Sequence, residues 1–167
     1  KLLLLLEDID LSAEVEEVSL SKFLFQEISK IRHTFEKGLN IKYMVDLAEP
    51  FMVRARSEDI SDLFRIMLLN AIKFTTKPKI LSATTIESYN NSYWKISISD
   101  AGIGVPDENK EIIFLRFKKP SERAGSGVGL ALAKLIVDKY QGKIWVEDRV
   151  KGDFKQGSSF QIALPKI

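Results

Sequence analysis

The apolar positions of this chain change period several times, and each change marks an element. Over residues 22–37, Phe23, Phe25, Ile28, Ile31 and Phe35 recur at helical spacing, and Gly38 follows as a C-terminal cap. Residues 39–46 alternate instead, with Ile41, Tyr43 and Val45 on one face, and residues 51–55 form a second short strand after Pro50. Ser57 offers an N-cap to a strongly apolar helix over residues 58–74. Residues 79–88 and 93–99, rich in Ile, Thr, Trp and Tyr, read as two strands joined through the turn-forming Tyr89-Asn90-Asn91. A short helix starts at residues 106–109, with Ile112, Ile113, Phe114 and Phe117 as its apolar side, and residues 118–124 have the polar, Pro-punctuated character of a mobile loop. Residues 126–141 return to helical spacing with Leu130, Ala133, Leu135 and Val137 inward, and Gly142 closes them. Residues 143–147 and 159–164 alternate as two last strands joined through residues 152–157. At the other end, Leu3, Leu6 and Ile9 give residues 1–11 the look of an amphipathic helix that starts without a cap, followed by an acidic connector over residues 12–21. A short packing helix and the stump of a longer one both fit that start.

Composition narrows the class. A chain of 167 residues, 45% apolar and 29% charged, suits one well-buried core in a globular domain. A formal charge of +2 with lysines and acids interspersed gives no nucleic-acid footprint. Zero cysteines excludes disulfides and thiolate metal sites and fits a reducing, cytoplasmic compartment. Leu2 to Leu6 is too short to cross a bilayer and lacks the pattern of a signal peptide, so any membrane attachment of a parent protein would use another segment.

Two glycine clusters at element boundaries carry the candidate chemistry. Asp100-Ala101-Gly102-Ile103-Gly104 closes a strand and puts a carboxylate where it can accept hydrogen bonds from an amino group. Gly125-Ser126-Gly127-Val128-Gly129-Leu130 opens a helix whose free N–H groups and dipole favour an anion such as phosphate. One wall for a base and one for phosphates describes a nucleotide pocket, although each cluster alone suits a structural turn equally well. The chain has no P-loop signature, and its second cluster is not the dinucleotide fingerprint. On the helix over residues 58–74, Ile66, Asn70 and Lys73 share one stripe at the border of an apolar face made by Leu63, Met67, Ala71 and Phe74. The amide oxygen of Asn70 is a hard ligand for a magnesium ion that already holds phosphates, and Lys73 can neutralise phosphate charge beside it. The plainer alternatives are an amide satisfied by a neighbouring loop and a solvated lysine.

The order of these parts resembles the ATP-binding catalytic domain of sensor histidine kinases, in the GHKL superfamily. The resemblance rests on Leu69-Asn70-Ala71-Ile72-Lys73-Phe74-Thr75, Asp100-Ala101-Gly102-Ile103-Gly104, Ile113-Phe114-Leu115-Arg116-Phe117, the second glycine cluster and Gly157-Ser158-Ser159-Phe160, and it covers residues 18–165. It implies an α/β (α+β) two-layer sandwich of the Bergerat type, a mixed sheet with helices packed on one face, and ATP with Mg as cofactors. By position, Asp100 would read the adenine amino group, with Gly102 and Gly104 shaping the pocket. Asn70 would hold magnesium, Lys73 would contact phosphate and Arg116 would approach the γ-phosphate. Phe114 and Phe117 would anchor a lid. Gly125, Gly127 and Gly129, with Val128 and Leu130, would turn backbone N–H groups towards the phosphates, and Ser159 would support the adenine region. Residues 1–17 would end a dimerisation and phosphoacceptor helix, and residues 18–167 would be the catalytic domain.

As partners the resemblance implies a phosphoacceptor histidine domain of the same protein and a response regulator receiver domain, with a homodimeric parent and a monomeric fragment. Two departures matter. The family's usual polar residue, four positions before the magnesium-binding Asn, is here Ile66, which can neither ligate a metal nor accept a proton. The histidine-acid-proline phosphoacceptor motif is absent, and His33 lies in a helix of the wrong domain. Three readings therefore stand: a histidine kinase module, a nucleotide-sensing kinase-like module without transfer, and another ATPase of the wider superfamily.

Overall fold

A computed structural model describes residues 14–34, 40–43, 45–46, 48–74, 80–115 and 128–167. Expectations on residues 1–13, Gly38, the loop over residues 118–124, Arg116, Phe117, Gly125 and Gly127 lie outside the described residues. The elements are strand β1 (Glu16–Ser19), helix α1 (Leu20–Thr34), β2 (Asn40–Tyr43), β3 (Met52–Ala55), α2 (Ser57–Phe74), β4 (Ile80–Tyr89), β5 (Tyr93–Ser99), two 3-10 turns (Asp107–Asn109 and Ile112–Phe114), α3 (Val128–Lys139), β6 (Lys143–Val150) and β7 (Asp153–Pro165).

Five strands form one mixed sheet in the order β2-β4-β5-β7-β6, parallel at β2–β4 and antiparallel elsewhere, and β1 pairs with β3 in a separate ribbon. Asn90 and Asn91 both take positive φ, 52° and 59°, the backbone that a tight antiparallel hairpin requires, so β4 turns into β5 through residues 90–92 alone. The register pairs Ile96 with Ile162 and Ile98 with Phe160, which sets one apolar face of the sheet against the helices. The opposite face is polar, with Ser97 donating to Gln161 and Ser99 Oγ donating to Ser159 Oγ at 2.9 Å.

Helix α2 is the centre of the core. Ile60, Leu63, Phe64, Met67, Leu68 and Ala71 are all buried, repeating at the three- and four-residue spacing that keeps one broad stripe inward. Each fully buried large side chain stabilises the fold by roughly 1.5–3 kcal/mol. Helix α1 adds Leu20, Leu24, Ile28 and Ile31, and α3 adds Ala133, Ile136 and Val137.

Several boundaries and faces differ from expectation. The acidic connector contains β1, because Val18 is buried against the register partner Val53 while its acidic neighbours face out. Helix α1 consequently begins at Leu20, and its inward stripe passes through Leu24; adjacent residues lie about 100° apart, so Phe25 is left exposed. His33 is exposed on the same helix. Ser57 is the first helical residue of α2 rather than its cap, since the N–H groups of Asp59 and Ile60 donate to the carbonyl of Arg56. In α3 Leu135 points out and its neighbour Ile136 points in. Residues 107–114 make two 3-10 turns instead of one helix, burying Ile113 and Phe114 but not Ile112. Strand β7 starts at Asp153, so residues 153–157 belong to the sheet and not to a connecting loop.

Candidate functional site

The alternation of β5 turns Asp100 to the helix side of the sheet just past the end of the strand, where it is 1% exposed. Its N–H donates to the Ser158 carbonyl at 2.8 Å, and its Oδ1 accepts from the N–H groups of Gly102 at 2.9 Å and Ser158 at 3.3 Å. Burial raises the carboxyl pKa, while the hydrogen bonds from Gly102 and Ser158 and the charge of Arg149 pull it down; burial prevails. A carboxylate held this way has a fixed direction and a strong incentive to take another donor.

Glycine is required where this loop meets its neighbours. A Cβ on Gly102 would lie 2.0 Å from the carbonyl oxygen of Phe74, and one on Gly104, where φ is 73°, would lie 1.7 Å from that of Phe154. The Asp100 loop therefore lies backbone to backbone against the last residue of α2. That residue is one helical turn beyond Asn70.

Asn70 is half-buried, and its Nδ2 is buried without a hydrogen-bond partner among the described residues. An unsatisfied buried amide costs about 1–3 kcal/mol, so its retention points to a role for the group. Lys73 is exposed, with Nζ 5.7 Å from the Phe74 ring centroid. Ile66, half-buried at the edge of the core, faces the start of α3, since a Cβ on Gly129 would come 3.6 Å from Ile66 Cγ2. Val128 and Leu130 flank Gly129 in that first turn and are half-buried. Phe114 packs edge-on against Phe160, centroids 6.1 Å apart, which fixes the chain to the core just before residues 116–127. The Asp100 loop thus meets α2 at Phe74 and the start of α3 faces α2 at Ile66, each one helical turn from Asn70.

Ser159 does not join them. Strand alternation sends it to the opposite face of the sheet, where its Oγ bonds with Ser99 and Gln161. The inward position is Ser158, 3% exposed and bonded through its backbone to Asp100. Counting back by two from the apolar Phe160 would have found it. Gly157, part of the Gly157-Ser158-Ser159-Phe160 motif but given no role from the sequence, also belongs here; at φ 106° a Cβ there would lie 2.1 Å from the Asp100 carbonyl oxygen.

This layering is the architecture of histidine kinase ATP-binding domains. The catalytic domain of histidine kinase ThkA, solved in a nucleotide-free form, superposes with a TM-score of 0.79 at 26% identity, covering 92% of this chain and 99% of that one. The chain belongs to the family described as histidine kinase-, DNA gyrase B-, and HSP90-like ATPase, which matches residues 55–167. Among curated relatives, it is 32% identical over 161 residues to the adaptive-response sensory kinase SasA of Synechocystis sp. (strain ATCC 27184 / PCC 6803 / Kazusa), covering 93% of this chain and 37% of that protein. It is 29% identical over 161 residues to the signal transduction histidine-protein kinase ArlS of Staphylococcus aureus (strain USA300), covering 92% of this chain and 33% of that protein. The chain thus spans about a third of the length of these relatives. Among the described residues, no helix is long and apolar enough to cross a membrane.

Proposed function

We propose that this chain is the ATP-binding catalytic domain of a two-component sensor histidine kinase. The observation that carries the reading is the buried Asp100 carboxylate: its Oδ1 is fixed by two backbone N–H groups, it sits on a glycine-lined loop, and that loop lies within a helical turn of Asn70. Both bonds from described residues go to Oδ1, which leaves Oδ2 to accept the exocyclic amino group of adenine. Gly102 and Gly104 shape the pocket by letting the loop close against the backbone of Phe74 and Phe154. Lys73, exposed at the end of α2, neutralises phosphate charge, and backbone N–H groups around Gly125, Gly127, Gly129 and the first turn of α3 cradle the phosphate oxygens. Arg116 reaches the γ-phosphate, Phe114 and Phe117 anchor the lid, and transfer depends on positioning and charge neutralisation more than on covalent help from the protein.

The residues present suit a magnesium ion shared with the nucleotide rather than caged by protein. Among the described residues no cluster of three or more His, Cys, Asp or Glu could hold a metal, whereas Asn70 carries a side-chain amide whose nitrogen is unpartnered and whose oxygen can serve as a single hard ligand. Asn70 would hold such an ion through its amide oxygen, and the ion would supply positive charge to offset that of the phosphates.

The acceptor is a histidine imidazole on a dimerisation domain; the expected boundary after residue 17 falls inside β1, whose Glu16 and Glu17 pair with Ala55 and Arg54 and so go with the catalytic domain. A response regulator receiver domain takes the phosphoryl group next. The site works in the cytoplasm, in a homodimeric parent, while the chain alone is monomeric. Titration calorimetry with ATP, ADP and GTP, followed by phosphorylation of a separately supplied acceptor domain, tests both halves. Absence of ATP binding removes the reading, and ATP binding without labelling of the cognate acceptor removes its catalytic half.

Ile66 favours a second reading, a nucleotide sensor that binds ATP without transferring phosphate. An apolar side chain packed on Gly129 stands where the family resemblance calls for a polar one, and it can polarise nothing.

A further inference from the structure

Helices α2 and α3 run antiparallel, and α3 meets α2 at both of its own ends. At the site end Ile66 meets Gly129. At the far end, Oδ2 of Asp59, in the first turn of α2, accepts from Lys139 Nζ at 3.0 Å and from the hydroxyl of Tyr140. The Tyr140 oxygen in turn accepts from the backbone N–H of Arg56 at 3.0 Å. The Asp59 and Lys139 side chains are each only 6% exposed, so this is a desolvated pair, for which loss of one partner is felt far more than at the surface. Just beyond, Gln141 at φ 56° and the bond from the Gly142 N–H to the Val137 carbonyl at 2.9 Å end α3 abruptly. Nothing in the proposed chemistry uses these groups.

We propose that Asp59, Lys139 and Tyr140 are positioning residues that set the axial register of α3 against α2, and through it the place of the phosphate-facing first turn of α3. A helix is stiff along its axis, and α3 is about 18 Å long at 1.5 Å per residue, so fixing its last turn fixes its first. Apolar contacts between α2 and α3 resist separation but slide easily. A charged pair with a tyrosine hydroxyl between a carboxylate and a backbone N–H does not slide, because its hydrogen bonds fail within a fraction of an ångström. The inference rests on the nucleotide reading of the site, for it needs α3 to present its N-terminus to phosphate.

The test compares the wild type with Tyr140→Phe, Asp59→Asn and Lys139→Arg. In nucleotide-free protein, hydrogen exchange is followed at the amides of residues 132–134, which bond to the first-turn carbonyls of α3. Tyr140→Phe and Asp59→Asn raise it about threefold to thirtyfold while amides of β5 and β7 keep their rates, and Lys139→Arg stays near the wild type. Affinity for ATP falls by a similar factor, while affinity for adenosine, which lacks the phosphates, is unchanged. A rise confined to residues 139–142, a uniform rise through the sheet, or equal weakening of ATP and adenosine overturns the proposal. If the wild type binds neither ligand, the nucleotide reading fails, and the exchange pattern still decides whether the far end of α3 controls the near one.

Discussion

Asp100 and Ser158 are bound to each other twice, through the Asp100 N–H to the Ser158 carbonyl at 2.8 Å and through the Ser158 N–H to the Asp100 carboxylate at 3.3 Å. The first bond continues the β5–β7 pairing one residue past the strand, and the second turns the side chain with it. The direction of the carboxylate is therefore a property of the sheet register. Any change that shifts β7 against β5 would re-aim it.

Replacing Asp100 by Asn keeps the shape but puts a donor or a weaker acceptor where a carboxylate stood. Affinity for ATP falls by tenfold or more, since a charge-assisted bond is worth about 1.5–3 kcal/mol. Calorimetry of the variant is the check, and unchanged ATP affinity removes Asp100 as the base-reading group.

The same variant separates stability from binding by pH. The folded-state pKa of Asp100 is raised, so the fold favours its protonated form. Its contribution to stability is present below the unfolded value, near 3.8, and is lost as pH rises through the folded value. Asp100→Asn escapes that loss, so its melting temperature relative to wild type is highest near neutral pH and the gap closes on acidification. ATP binding runs the other way in wild type, weakening as the carboxylate protonates.

Two glycines of positive or crowded backbone divide by surroundings. Gly152→Ala, at φ 81° with nothing within 4 Å of the new Cβ, costs about 1–2 kcal/mol for the left-handed backbone alone. Gly102→Ala forces a Cβ to 2.0 Å from the Phe74 carbonyl oxygen, so α2 and the Asp100 loop must part. Its cost exceeds that of Gly152→Ala, with overpacking of about 1–3 kcal/mol or more, and ATP binding is lost with it. Denaturant melts of the pair measure the difference.

Asn70→Leu removes a buried amide nitrogen that has no partner among the described residues and substitutes an apolar side chain of similar size. Stability of the nucleotide-free protein rises, by up to about 1–3 kcal/mol, while magnesium-dependent ATP binding is lost. A variant that is both less stable and still metal-dependent contradicts the proposed role.

Ile66→Asn tests whether that position limits transfer. The new amide meets Gly129, which has no side chain to clash with it, so the fold tolerates the change. Labelling of a supplied acceptor domain increases over the wild type. Equal rates in the two proteins remove Ile66 as the reason for any catalytic weakness.

Local periodicity made much of this molecule readable from residues alone. The buried stripe Leu63, Met67 and Ala71, the paired asparagines of the β4–β5 turn and the glycine loop after Asp100 each announce themselves within a few positions, because helix, hairpin and tight turn are set by neighbours in the chain. Pairings between distant residues were not readable. Val18 opposite Val53 makes a strand of an acidic stretch, Ser158 rather than Ser159 faces Asp100, and Asp59 finds Lys139 and Tyr140 some 80 residues away. Leu24 displaces Phe25 from the core because the phase of a helix is chosen by what it packs against. Sequence determined the elements and the chemistry each one carries; tertiary structure decided which of those groups share a face, because register and helix phase are fixed by burial across the whole sandwich.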